Sequence, residues 1–152
     1  MSKTLYPSLP ILLIDDEEYF LRNLKLVLNR YAGINNVIAI SDPREVEPLL
    51  KQQRISLALI DYIMPPVSGK AILDLLAREY PDVPAIMLTG RDEVDIAVSC
   101  MKLGAFDFLV KSNEDERLIS AGKKGLRLSE LEHENLKLRD GLLSEDMQSP
   151  EA

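Results

Sequence analysis

Leu12-Leu13-Ile14-Asp15-Asp16-Glu17 brings an apolar run, Pro10–Ile14, to an end in two adjacent carboxylates. A second run closes the same way: Leu57-Ala58-Leu59-Ile60 leads into Asp61, with Met64-Pro65 just beyond. An unbroken apolar run of this length suits a strand buried on both faces, as in a parallel sheet covered by helices. A carboxylate directly after such a strand stands at its C-terminal end. In open parallel sheets those ends converge on one crevice, where ligands bind. Carboxylates gathered there repel one another unless a hard cation neutralises them, and an all-oxygen donor set suits Mg²⁺. Asp15, Asp16 and Asp61 are therefore read as an acidic, metal-assisted pocket.

Three further runs have strand character: Val37–Ile40, Pro84–Leu88 and Phe106–Val110, with the third strand opening at Ser56. Amphipathic stretches separate them. Phe20, Leu24, Val27, Leu28 and Tyr31 are spaced by threes and fours and predict the inner face of a first helix. Asp42-Pro43-Arg44-Glu45 carries a cap residue, Pro at the first helical position and Glu at the third, and Pro48 should shorten or kink the helix that follows. Ser68 can cap a third helix facing inward with Leu73, Leu76, Ala77 and Tyr80. A fourth presents Val94, Ala97, Val98 and Met101, with Gly104 as terminator and Cys100 on its inner side. Strand–helix alternation of this kind predicts an α/β fold, a doubly wound five-stranded parallel sheet with helices on both faces.

The totals narrow the function classes. One domain with an appended element is the natural reading of 152 residues. No window approaches the ~18 apolar residues of a membrane span, and Met1–Pro7 lacks the build of a signal peptide. A single cysteine excludes an intrachain disulfide and fits a reducing cytoplasm. The net charge of −7 argues against this segment gripping nucleic acid by itself.

Beyond the fifth strand a long helix is expected, weakened by Gly122 and Gly125. Leu128, Leu131, Asn135, Leu138 and Leu142 step by 3, 4, 3, 4 and fall at alternating a and d positions of a heptad. Asn at one a position suits a parallel two-stranded coil, and Arg127 would face Glu132, and Glu134 would face Arg139, across it. The alternative is a solvated amphipathic helix lying on its own domain. His133, at an outward position of the coil, is assigned no partner. The expected organisation is a globular domain over 1–125, a dimerising helical linker over 126–143 and a polar tail over 144–152 that leads toward absent domains.

Thr89 ends the fourth run and Lys111 the fifth, so both can share the rim with the carboxylates. A carboxylate, a metal site, a hydroxyl and an ammonium together suit phosphoryl transfer. One carboxylate can act as the nucleophile and form an acyl phosphate, while cationic groups neutralise the phosphoryl oxygens. Each position also has a plainer reading: a helix cap and dipole partner for Asp15 and Asp16, a strand-end turn for Asp61, solvated side chains for Thr89 and Lys111.

Ile14-Asp15-Asp16-Glu17, Asp61-Tyr62-Ile63-Met64-Pro65, Leu88-Thr89-Gly90 and Gly104-Ala105-Phe106-Asp107-Phe108-Leu109-Val110-Lys111 occur in order over residues 9–125. In these motifs the chain resembles the receiver domains of bacterial two-component response regulators, a flavodoxin-like (βα)5 fold. The resemblance implies that Asp61 is the phosphoacceptor for a sensor histidine kinase. It implies that Asp16, Asp61 and the backbone carbonyl of Ile63 bind Mg²⁺ directly, with Asp15 acting through water, and that Lys111 pairs with the phosphoryl group. Thr89 and Phe108 would form the switch pair, although Phe108 could equally be core. Leu88–Val94 and Ala97–Phe108 look most like receivers of the nitrogen-regulatory, sigma-54-dependent activators, which continue into ATPase and DNA-binding domains.

The chain departs from the family at two positions. Ser112 stands where proline, often after a cis bond, usually follows the lysine; a cis bond before serine would cost ~3–4 kcal/mol. Ile63 and Arg91 leave no amide or carboxylate to orient attacking water, so a long-lived phosphoaspartate is expected. Three rival readings share parts of this pattern. A Mg²⁺-dependent aspartyl phosphohydrolase would want a second acid at position 63. A flavodoxin-like cofactor binder would want a phosphate loop where this chain has Asp-Asp-Glu-Glu. A degenerate receiver would dimerise without being phosphorylated.

Overall fold

Period-free apolar runs become strands because both faces of the sheet are covered. In the computed structural model, which describes residues 4–90, 94–111 and 115–148, they form β1 (Ile11–Ile14), β2 (Val37–Ile40), β3 (Leu57–Asp61), β4 (Ala85–Thr89) and β5 (Asp107–Val110). The five strands make one parallel sheet in the order β2-β1-β3-β4-β5. Alternate residues face opposite layers. Leu12, Ile14, Ala58, Ile60 and Met87 pack with the helices α2 (Val46–Gln52), α3 (Gly69–Glu79) and α4 (Val94–Lys102). Ile11, Leu13, Leu57, Leu59 and Leu88 pack with α1 (Glu18–Ala32) and α5 (Asp115–Gln148). The doubly wound α/β architecture read from the sequence is the one observed.

The local signals explain most boundaries. Gly33 ends α1 with φ 66°, its N–H donating to the Asn29 carbonyl, the left-handed conformation glycine adopts at low cost. Gly104, at φ 105°, follows α4 as expected. The Ser68 hydroxyl accepts from the Ala71 N–H at 3.1 Å and caps α3. Asp42 caps a short 3-10 turn, Pro43–Glu45, before α2 begins. Pro48 is the third residue of α2, where its missing N–H has no intrahelical partner to lose.

Three helical faces differ in part from the expectation. In α4 Cys100 is buried, as expected, but Val94, Val98 and Met101 are exposed, Val94 to 73%. Its sequence, Val-Asp-Ile-Ala-Val-Ser-Cys-Met-Lys, is apolar on two stripes, and the position of the helix over β4 and β5 selects the other one. In α1 the buried set is Leu21, Leu24, Val27 and Leu28, with Tyr31 exposed. Of the expected third-helix face, Tyr80 is half-buried and packs against the core, while Ala77 is exposed and Ile72 and Gly69 are buried instead.

α5 runs unbroken for 34 residues. Gly122 and Gly125 do not interrupt it; they lie on its buried side, and a Cβ at Gly125 would stand 2.6 Å from Leu57. Glycine there lets the helix approach the sheet closely. Leu126 and Ser129 are still buried against the domain, whereas Leu131 and Leu138 are exposed to 46% and 65%. Leu128 is half-buried and Asn135 exposed; the side chain of Leu142 lies outside the described residues, as do residues 149–152. His133, expected to lack partners, lies with its Nδ1 3.3 Å from the guanidinium of Arg54, because the helix leaves the domain past the β3 approach.

Candidate functional site

Register brings the polar residues together. β1 and β3 are paired with Ile14 beside Ile60, so the residues that follow, Asp15 and Asp61, emerge side by side. Asp15 is tied down by its N–H to the Ile40 carbonyl (3.1 Å), and its Oδ1 accepts from the Glu17 N–H (2.9 Å). Thr89 pairs with Val110, and the Lys111 N–H donates to the Thr89 carbonyl at 2.6 Å. Strand ends therefore set four of the five polar positions, and Asp16 follows from the bend after β1.

The carboxylates of Asp15, Asp16 and Asp61 each offer an oxygen within 4.8 Å of the others. Asp15 and Asp61 are buried and Asp16 is exposed. The Lys111 ammonium reaches over them, 2.6 Å from Asp15 Oδ2 and 3.3 Å from Asp61 Oδ1. The first contact is an ion pair rather than an aligned hydrogen bond, for that Asp15 oxygen has no partner of hydrogen-bond geometry. Lys111 also lies against an aromatic face, 4.3 Å from the centroid of the Phe20 ring.

Burial, followed by the charge of Asp15, pushes Asp61 up to about 6, against the opposing pull of Lys111. Burial likewise raises Asp15 despite its contacts with Lys111 and the Glu17 N–H. For Lys111 burial disfavours the ammonium, but Asp15 and Asp61 outweigh it and the group is held above its ordinary value. Three carboxylates, two of them buried, with one ammonium between them form a cluster two positive charges short of balance when all are ionised. A hard divalent ion fits that deficit and that oxygen donor set.

The remaining expected residues sit around this cluster. Thr89 is buried at the end of β4. Ile63 lies beyond β3 and is 54% exposed. Phe108 is half-buried in β5, packed against the α2–α3–α4 core layer. Ser112 and Arg91 fall outside the described residues. Two further residues belong to the site. Phe20, expected only on a helix face, lies over the Lys111 ammonium. Gly69 packs directly beneath Asp61 and Tyr62, and its N–H donates to the Tyr62 carbonyl at 3.0 Å; nothing in Ser68-Gly69-Lys70 signals that approach.

A model of the response regulator receiver domain matches residues 11–123. The chain belongs to that family. Among curated relatives of this receiver domain is an NtrX-like response regulator of Rickettsia felis, 26% identical over 138 residues (90% of this chain, 29% of that protein). The alginate biosynthesis transcriptional regulatory protein AlgB of Pseudomonas aeruginosa is 33% identical over 141 residues (88% and 31%). The receiver thus spans under a third of the length of these relatives. Among solved structures, NtrX from Brucella abortus superposes with a TM-score of 0.76 at 25% identity, covering 86% of this chain and 30% of that one. The beryllofluoride-activated NtrC4 receiver domain dimer superposes with a TM-score of 0.72 at 29% identity, covering 79% and 98%. Receiver domains bind Mg²⁺ at an acidic pocket, and Asp15, Asp16 and Asp61 form such a cluster here.

Proposed function

We propose that this receiver is a phosphorylation-controlled switch in which Asp61 accepts a phosphoryl group from a sensor histidine kinase. The observation that carries the reading is the three-carboxylate cluster with the Lys111 ammonium inside it. An Asp61 carboxylate oxygen attacks phosphorus, the phosphorus–nitrogen bond to the kinase imidazole breaks, and that nitrogen keeps the bonding pair and takes up a proton. Asp16, Asp61 and the Ile63 carbonyl would hold Mg²⁺, with Asp15 acting through water; when bound, the ion neutralises charge on the phosphoryl oxygens. Lys111 leaves Asp15 to pair with a phosphoryl oxygen. The Thr89 hydroxyl donates to another, and Phe108 follows by turning inward, which reshapes the surface of α4, β5 and α5.

The chain acts as a signalling module rather than an enzyme with its own substrate, in the cytoplasm. The relatives NtrX, DctD and AlgB support membership of the sigma-54-dependent activator class. In that setting the heptad positions Leu128, Leu131, Asn135, Leu138 and Leu142 of α5 join two receivers in a parallel coil. Phosphorylation rearranges the pair and so controls ATPase and DNA-binding domains beyond this chain.

Incubation with Mg²⁺ and acetyl phosphate, or the beryllofluoride mimic, followed by intact mass and sedimentation, tests the reading. One phosphoryl group per chain, abolished by Asp61→Asn and accompanied by a change in self-association, is expected. No uptake leaves a receiver that works through its helix alone.

A further inference from the structure

We infer that Phe20 is a positioning residue for Lys111: its ring face holds the ammonium over the carboxylates and gives it a surface to slide on when it changes partners. The inference rests on the phosphoacceptor reading above. The ammonium has three neighbours of different kinds, the Asp15 carboxylate at 2.6 Å, the Asp61 carboxylate at 3.3 Å and the Phe20 ring at 4.3 Å. The ring is itself anchored, half-buried on α1 against the layer of Leu24, Leu88 and Leu109.

What lies behind the ring gives it a task. A cavity of about 250 Å³ opens between α1 and α5, lined by Phe20, Leu24, Leu109, Lys111 and Asp115. A lysine released from the cluster would turn into that space, which Asp115 and the cation Arg117 also line. The ring stands at this boundary and makes the cluster side the favoured one. The attraction of a cation to a ring face persists out to about 6 Å from the ring centroid. The ammonium can therefore move from Asp15 toward a phosphoryl oxygen on Asp61 without losing its third contact. A hydrogen-bonding neighbour in place of Phe20 would fix one position and resist the move.

The test compares the full chain as wild type, Phe20→Leu and Phe20→Tyr. Mg²⁺ affinity is read by calorimetry, phosphoryl uptake from acetyl phosphate at saturating Mg²⁺ by intact mass, and the Lys111 ε-methylene protons by NMR. The leucine keeps apolar bulk but removes the ring. It should slow uptake by roughly 3- to 30-fold, the change to which a cation–π contact of ordinary strength converts, with Mg²⁺ affinity unchanged or raised, since a less firmly held Lys111 competes less for the carboxylates. Phe20→Tyr should restore the rate. The ring should shift the wild-type ε-methylene protons upfield, and that shift should vanish in Phe20→Leu. Equal rates for the folded leucine variant and wild type would overturn the inference, as would failure of the tyrosine to rescue. If the leucine variant does not fold, the wild-type ring-current shift decides: its presence supports the contact and its absence refutes it. A wild type that takes up no phosphoryl group would instead sink the phosphoacceptor reading itself.

Discussion

Gly69 sits directly beneath Asp61: a Cβ at Gly69 would collide with the Asp61 carbonyl oxygen and come within 2.8 Å of the Tyr62 α-carbon. The obstacle is backbone, which cannot rotate away as a side-chain tip can. Gly69→Ala should therefore cost about 1–3 kcal/mol in urea unfolding, the range for overpacking a tight site. Phosphoryl uptake at Asp61 should fall with it, because relief of the clash has to move the end of β3. An alanine variant with wild-type stability and uptake would contradict this packing.

Asp61 governs a pH dependence whose sign is fixed. Its folded-state pKa, pushed up to about 6 by burial and by Asp15, exceeds the ordinary 3.8. The protonated form is thus favoured by folding, and stability present below about 3.8 is lost as pH rises through about 6. In metal-free protein Asp61→Asn should therefore be the more stable at pH 7, by up to about 3 kcal/mol. The difference should shrink as pH falls toward 4. Mg²⁺ should stabilise the wild type at pH 7 and bind progressively less well below about 6, where Asp61 takes up a proton. Unfolding free energies across pH 4–8, with and without the ion, would show both trends.

Lys111→Met should act in two opposite ways. It strips the nearest positive charge from Asp15, which is 1% exposed, so metal-free stability at pH 7 should fall by roughly 2–4 kcal/mol. It also removes a tethered competitor for the carboxylates, so Mg²⁺ should bind more tightly than to wild type. Calorimetry and thermal unfolding separate the two; weaker Mg²⁺ binding in the variant would argue against competition.

Self-association should depend on the exposed leucines of α5. Leu131→Glu with Leu138→Glu should weaken the dimer at least roughly tenfold by sedimentation equilibrium, a change of about 1.4 kcal/mol. Since both side chains lie largely in solvent, the unfolding of the single domain should change by no more than about 0.5 kcal/mol. A wild-type chain that is monomeric at high concentration would remove the coil from the proposal.

Ile63, exposed beside the pocket, offers no polar group to attacking water. The phosphoaspartate should therefore persist for minutes or longer, and Ile63→Asn should hasten its loss by roughly tenfold or more. Loss from the wild type within seconds would end that expectation.

The strands were legible because apolar runs followed by carboxylates are fully determined by a two-sided parallel sheet. The cluster was legible for the same reason, since strand ends in such a sheet meet. Helix faces were less so. In α4, Val94, Val98 and Met101 compete with Ile96, Ala97 and Cys100, and spacing cannot choose between two apolar stripes. Phe20 meets Lys111, which lies far away in the chain, and Gly69 meets Asp61 through a close backbone approach across the β3–α3 connection that no residue type there signals. The Arg54–His133 contact depends on the course of α5 past the domain, a direction no local motif encodes.

The unbroken course of α5 has a mechanical consequence. Its first turn, at Asp115, lines the cavity beside Lys111, and it runs 34 residues to Gln148. At about 1.5 Å per residue the helix measures about 50 Å, so a tilt of about 5° at its root sweeps its far end through about 4 Å. A helix broken at Gly122 or Gly125 would absorb such a tilt as bending. A continuous one acts as a lever, turning sub-ångström adjustments around a phosphoryl group into displacements as large as a side chain.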